Sequence, residues 1–479
     1  MSDIRPHLIN GRWVHGGEAV ENRNPSDRAD LIGLYAAGSA DDVAQAAEAA
    51  VAAQPAWFAA GPQARADLLD RVAAGIEARA AEIATTLARE EGKILPEALA
   101  EVRRSAQIFR FFAGEALRIP GEALASVRPG VDIEVTREPV GVVGLITPWN
   151  FPAAIPAWKV APALAFGNTV VLKPADLVPG TAHLLAQVIQ DADCPAGVFN
   201  LVMGSGRVVG QAIVEAPGIA ALSFTGSVPT GRAIAATAIG GMKKLQLEMG
   251  GRNPMVVMDD ADLDLAVDAC LNGAFYSTGQ RCTASSRLIV QAGIHDAFVD
   301  RLSRAMLALR VGPALDPASQ IGPVVSGAQL EGNLRYVALA RAEGCEVLGG
   351  ERLDGPTEGF FQRPALFLGA DNAMRCVREE IFGPCAAVIR VDDFDQAVAI
   401  ANDSDFGLSA GICTTSLRHA REFRRRARAG MVMTNLPTAG VDYHVPFGGT
   451  KGSSYGPREQ GRHAVEFHTT VKTSYCLAG

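Results

Sequence analysis

The chain has 479 residues, 48% hydrophobic and 20% charged, with a formal net charge of -8 at pH 7. This length suits two or three domains, each able to bury a core of its own. The charge is spread without long acidic or basic runs, which argues against nucleic acid as a partner.

Residues 39–117 read as helical. "SADDVAQAAEAAVAAQ" opens on Ser39 with Asp42 three positions on, the pattern of a capping box. "RADLLDRVAAGIEARAAEIATTLAREEGK" keeps apolar residues at helical spacing and ends at a glycine. From 132 the period changes: "VDIEVTREP" alternates like an exposed strand, and "VGVVGLIT" is a continuous apolar run, as in a strand buried on both faces. Helices at 153–166 and near 180–192 then alternate with strands at 169–173, 198–203, 219–225 and 244–249, which predicts a parallel, doubly wound α/β sheet. A second α/β unit runs from about 251 to 448, through "PMVVMD", "RLIV", "AAVIRV", "GLSAGICT" and "MVMTN". The closing "EFHTTVKTSYC" is β-branched and aromatic, suited to pairing with another strand edge.

The opening "MSDIRPHLINGRW" lacks the apolar centre of a signal peptide, and Lys159, Pro162 and Gly167 break the most apolar stretch before it could span a membrane. A cytoplasmic protein without a membrane partner is expected. The eight cysteines form no CxxC pair, and the eight histidines form no metal-spaced pair, so no metal is expected. Scattered cysteines in such a chain are mostly reduced and buried. Cys282 differs in its setting: it follows an apolar helix, inside a Gly-Gln-Arg loop, and a neighbouring cation favours thiolate.

Ligands of doubly wound sheets bind at the carboxyl ends of the strands. "GSGRVVG" at 204–210 imitates a dinucleotide loop, but its spacing is off and no acid follows at the right distance, so a tight, closely packed turn is the preferred reading. Lys173 and Asp176 stand just past one strand, where they suit two ribose hydroxyls. Gly226 and Ser227 lie between a strand and a helix, where a pyrophosphate would meet the helix N-terminus. Asn150, in "LITPWNFPAAIPAWK", is either a turn former or a rigid amide able to donate to an oxyanion. Glu248, before two glycines, is either a structural carboxylate or a general base with a raised pKa.

Seven stretches, "ITPWNFP", "GNTVVLKPAD", "FTGS", "LEMGGRNP", "STGQRCTA", "EEIFGP" and "PFGGTKGSSYGPREQG", together resemble the aldehyde dehydrogenase superfamily, in family order from about 140 to 461. The resemblance implies a dinucleotide-binding domain over 1–119 and 139–250 and a catalytic domain over 251–448. It also implies a small β oligomerisation element over 120–138 and 462–479, building a homodimer or homotetramer. It makes Cys282 the nucleophile, Asn150 and the Cys282 N–H the oxyanion donors, and Glu248 the base that activates water, with Lys159 and Glu459 in a proton relay behind it. Lys173 and Asp176 would hold the adenine ribose, Gly226 and Ser227 the pyrophosphate and Glu380 the nicotinamide ribose, with Trp149 and Phe382 beside the ring. The cofactor is NAD or NADP; NAD is favoured, although the family often has glutamate where Asp176 stands.

Aldehyde pockets of the family are lined by aromatics. Here Phe151, Ala154, Trp158, Tyr276, Thr438 and Phe447 are the expected walls. Arg281 is either an anchor for a substrate carboxylate or the partner of a local acid. Longer stretches look like α-ketoglutaric semialdehyde dehydrogenases, implying oxidation of 2,5-dioxopentanoate to 2-oxoglutarate and release as the free acid rather than to coenzyme A. Succinic semialdehyde, glutaraldehyde or a broad range of short aldehydes are the alternatives. A non-catalytic structural protein on the same fold is a distant one, because Cys282, Glu248 and Asn150 all stand.

Overall fold

A computed structural model describes residues 4–477. After four N-terminal strands, the helical region resolves into α1 (Ala40–Ala59), α2 (Gly61–Ala78), α3 (Ala80–Glu91) and α4 (Leu95–Ala116). Ser39 and Asp42 cap α1 reciprocally, as the sequence predicts. The long run after Gly61 is two helices rather than one: it breaks at Arg79, whose guanidinium pairs forward with Glu82 at 2.8 Å. Gly92 ends α3 at φ +93°, a left-handed conformation that glycine adopts without steric cost.

The first sheet has eight strands, in the order Arg12–Val14, His7–Ile9, Phe199–Leu201, Thr169–Lys173, Val142–Ile146, Ala221–Thr225, Lys244–Glu248 and Ser454–Tyr455. The five from Phe199–Leu201 to Lys244–Glu248 are parallel. Both outer pairings are antiparallel, and the segment after 448 returns to this sheet through Ser454–Tyr455. The next helix, α5 (Ala154–Ala165), is buried along its whole length, which fits its nearly unbroken apolar sequence. It packs against α2 and α4. The second sheet has seven strands, with Cys385–Val391, Ser285–Gln291, Asn253–Val257, Ser409–Cys413 and Met431–Thr434 in parallel. A separate three-stranded sheet joins Thr469–Leu477 to Val131–Pro139, and that strand to Glu122–Ala125.

Gly204 follows the Phe199–Leu201 strand, and Ser205 caps a single π-helical turn at Gly206–Gly210. A Cβ on Gly204 would meet the Gly38 backbone and Val209, so the chain is closely packed at Gly204, while Ser205 to Val208 are exposed. Among the described residues, no helix is long and apolar enough to cross a membrane.

Candidate active site

Helix Leu263–Phe275 ends at a turn in which Ser277 (φ 51°) and Thr278 (φ 57°) are both left-handed. This conformation is costly for a β-branched threonine. The turn is tied down: the Thr278 hydroxyl donates to Gly322 O at 3.1 Å, and the Val325 N–H donates to Gln280 Oε1 at 3.0 Å. Cys282 follows, its carbonyl held by the Asn253 amide at 2.8 Å. Gly250 and Gly251 let Glu380 and Cys282 close in, since a Cβ on Gly250 would overlap the Glu380 carboxylate and one on Gly251 the Cys282 carbonyl.

Two cavities meet at Cys282. The larger, of about 410 Å³, is walled by Phe151, Ala154, Trp158 and Phe447, with Arg281 and Ser277 beside the thiol. The smaller, of about 200 Å³, is walled by Trp149, Asn150, Gly226, Ser227, Glu380 and Phe382. Cys282 is partly exposed to these cavities, yet it lies deep in the protein. Burial and the nearby carboxylates of Glu380 and Glu248 push its thiol up to about 12, against the pull of the Cys282 and Thr283 N–H groups. The sequence expectation that Arg281 favours thiolate is therefore overturned: the charges that the sulfur feels are negative.

Asn150 follows strand Val142–Ile146 in a buried loop. Its amide donates to Gln280 O at 2.9 Å, which uses one of two N–H groups. Its own carbonyl accepts from Lys93 Nζ at 2.7 Å. Glu248 ends strand Lys244–Glu248 and accepts from the Ser454 hydroxyl at 2.6 Å. Its carboxylate lines neither cavity. Burial first, and the charge of Glu459 second, raise its pKa well above the usual carboxylate value. Behind it, Lys159 pairs with Glu459 and donates to Ser223 Oγ at 2.6 Å, both side chains of the pair being almost fully buried.

The smaller cavity suits a nicotinamide dinucleotide. It opens where parallel strands end, at the N-terminus of helix Val228–Gly240. The buried Thr225 hydroxyl on its wall has no partner among the described residues. Glu380 accepts the Gly251 N–H at 2.7 Å, and burial raises its carboxyl to about 7. Trp149 and Phe382 meet edge to face with centroids 5.3 Å apart, Phe382 holding a left-handed φ of 58°. Lys173 donates to Asp176 Oδ1 at 2.8 Å beyond the neighbouring strand, outside this cavity's wall.

The sequence profile of the aldehyde dehydrogenase family matches residues 13–474. The chain belongs to the aldehyde dehydrogenase family. It is an NAD(P)-dependent aldehyde dehydrogenase. It is 43% identical to the α-ketoglutaric semialdehyde dehydrogenase of Bacillus subtilis (strain 168), over 98% of this chain and 97% of that one. It is 39% identical to the 2,5-dioxopentanoate dehydrogenase of Saccharolobus solfataricus, over 97% and 98%. The crystal structure of betaine aldehyde dehydrogenase from Staphylococcus aureus in complex with NAD+ superposes with a TM-score of 0.96 at 31% identity, covering 99% of this chain and 95% of that one.

Two expected walls of this aldehyde dehydrogenase lie elsewhere. Tyr276 packs against the core under the second sheet, because the left-handed turn after it brings Ser277 to the cavity instead. Thr438 is fully buried, its hydroxyl donating to Thr283 O at 2.7 Å, and Pro437, Ala439 and Gly440 form the wall around it.

A charged group on α4 and at the corner before it has no counterpart in the sequence reading. Lys93 and Glu101 form a buried pair at 2.6 Å, and Lys93 Nζ lies 3.9 Å over the Phe151 ring. Glu101 also accepts the N–H groups of Ala153 and Ala154 at 2.9 and 3.1 Å. Glu97 pairs with Arg281 at 3.1 Å, and Arg281 donates to Ser277 Oγ at 2.9 Å. Arg104 lines the same cavity. The sequence signal was the spacing of Glu97, Glu101 and Arg104, which puts these three on one stripe of a helix.

Proposed function

We propose that the enzyme oxidises a short carboxylate-bearing semialdehyde, 2,5-dioxopentanoate to 2-oxoglutarate, through a covalent intermediate on Cys282. The observation that carries this reading is the junction of the two cavities at Cys282, with cationic side chains along the wall of the larger one. The similarity to two dehydrogenases named for this substrate supports the choice of aldehyde.

In this mechanism Cys282 Sγ attacks the aldehyde carbon and forms a thiohemiacetal. The free N–H of the Asn150 amide and the Cys282 backbone N–H stabilise its oxyanion, each donor contributing about 3 kcal/mol. Because burial holds the thiol protonated, Glu248 takes its proton. The chemistry a bound dinucleotide supplies is hydride acceptance, which converts the thiohemiacetal into a thioester. Glu248 passes that first proton to the Lys159 and Glu459 relay behind it, and so is free to draw a proton from water. The hydroxide attacks the thioester carbon, the carbon–sulfur bond breaks to release the acid, and Glu248 returns the water's proton to the Cys282 sulfur. Lys173 and Asp176 would hold the adenine ribose, Gly226 and Ser227 the pyrophosphate and Glu380 the second ribose, with Trp149 and Phe382 flanking the ring. The three-stranded sheet would join protomers into a homodimer or homotetramer.

Initial rates with NAD and NADP across 2,5-dioxopentanoate, succinic semialdehyde, glutaraldehyde and betaine aldehyde test the reading. The highest kcat/KM is expected with 2,5-dioxopentanoate; a higher value with any of the others would sink the substrate. Cys282→Ala should abolish turnover while the dinucleotide still quenches tryptophan fluorescence. Residual turnover would remove Cys282 as nucleophile.

A further inference from the structure

Three cations and two carboxylates line the larger cavity: Lys93, Arg104 and Arg281 against Glu97 and Glu101. The wall therefore carries one net positive charge. Lys93 is neutralised by Glu101 and Arg281 by Glu97. Arg281 also reaches Asn272 Oδ1 at 3.3 Å, so its guanidinium is bound on both sides. Arg104 has no carboxylate within 4.0 Å among the described residues. Its Nη1 donates to Val441 O at 2.8 Å, and its guanidinium lies 5.5 Å over the Tyr443 ring. Four of its five N–H groups remain free for a ligand.

We propose that Arg104, rather than Arg281, binds the distal carboxylate of the substrate. This rests on the semialdehyde reading above and names the residue that selects for it. A guanidinium presents a planar fork that takes a carboxylate through two parallel hydrogen bonds. The tie to Val441 and the stacking on Tyr443 hold that fork in place, so little rotamer entropy is lost when a carboxylate arrives. Position along α4 favours it as well. Arg104 is seven residues from Glu97, about 10 Å along the helix at 1.5 Å per residue. Glu97 fixes Arg281 immediately beside the nucleophile, where a bound carboxylate would crowd the carbon under attack. Arg104 lines the same cavity two turns along α4 from the residue that fixes Arg281, so a carboxylate held at its guanidinium leaves the carbon under attack at Cys282 uncrowded. Binding there cancels the one net charge on the wall.

The test compares Arg104→Gln, Arg104→Lys and Arg281→Gln with wild type, using 2,5-dioxopentanoate and the neutral aldehyde pentanal. Losing a charge-assisted pair should lower kcat/KM of Arg104→Gln on 2,5-dioxopentanoate roughly 10- to 150-fold, mostly through KM. Pentanal should change by no more than about twofold, since it never used the guanidinium. Arg104→Lys should recover part of the loss, and inhibition by 2-oxoglutarate should weaken in parallel. Equal losses on both aldehydes, or a selective loss confined to Arg281→Gln, would overturn Arg104 as the anchor. A wild-type enzyme with no preference for 2,5-dioxopentanoate over pentanal would overturn the substrate reading together with this assignment, whereas a preference that survives Arg104→Gln overturns this assignment alone.

Discussion

Glu248 and Cys282 share one electrostatic problem: burial makes each costly to charge, and the carboxylate of Glu248 raises that cost for the thiol. The carboxylate of Glu248 feels Glu459 pushing its pKa up, while the Ser454 hydroxyl and the charges of Lys159 and Arg458 pull it down. As a base it works deprotonated, so the rate should rise with pH through its pKa, with an acid limb well above the ordinary carboxylate range. The two partners behind it allow a test of sign. Glu459→Gln removes the like charge and should move the acid limb to lower pH by about one unit. Lys159→Met removes the opposite charge and should move it to higher pH by a similar amount. The kcat/KM–pH profiles of the two variants decide the matter; shifts in the same direction would show that the limb does not belong to Glu248.

At the scale of elements, the corner between α3 and α4 holds the loop that carries Asn150. Lys93 binds the Asn150 carbonyl, and its partner Glu101 binds the N–H groups of Ala153 and Ala154 where α5 begins. Lys93→Met leaves a buried carboxylate unpaired and should cost about 3–5 kcal/mol in urea unfolding. Replacing both residues, as Lys93→Met with Glu101→Leu, should recover most of that stability and leave kcat low, because the loop has still lost its restraints. A double variant with wild-type kcat would show that the clamp is structural only. This corner also shows what a sequence leaves unsaid. Strands Val142–Ile146 and Thr169–Lys173 were legible because each is a continuous apolar run buried on both faces. The strands before Ala36 were not, being short or largely exposed; Leu8 pairs with Leu201, a contact no local pattern encodes. In the same way Cys282, Asn150 and Glu248 stand in motifs whose order is visible in the chain. The Glu97–Arg281 pair joins residues 184 positions apart and becomes visible only once α4 faces the thiol loop.

At the scale of the molecule, the three-stranded sheet is the surface that most needs a partner. Strand Thr469–Leu477 pairs along its whole length with Val131–Pro139, and no strand among the described residues covers its other edge. Side chains alternate along a strand, so Val471, Tyr475 and Leu477 share one face, and all three are more than half exposed. An apolar strip of this kind on a protein with eight net negative charges is costly to leave in water, and covering it in an assembly removes that cost. These side chains add little to the fold of a single protomer: Arg128 lies 5.1 Å over the Tyr475 ring, but each of the three stays more than half exposed. Val471→Lys combined with Tyr475→Lys should therefore leave the thermal transition of the protomer close to its starting value while reducing the mass measured by light scattering to that of one chain. No residue assigned to Cys282 or to either cavity comes from this sheet, so the dissociated protein should keep its dinucleotide affinity. An unchanged mass would mean that protomers meet elsewhere, and a lost dinucleotide site would mean that the sheet supports the cavities as well as the assembly.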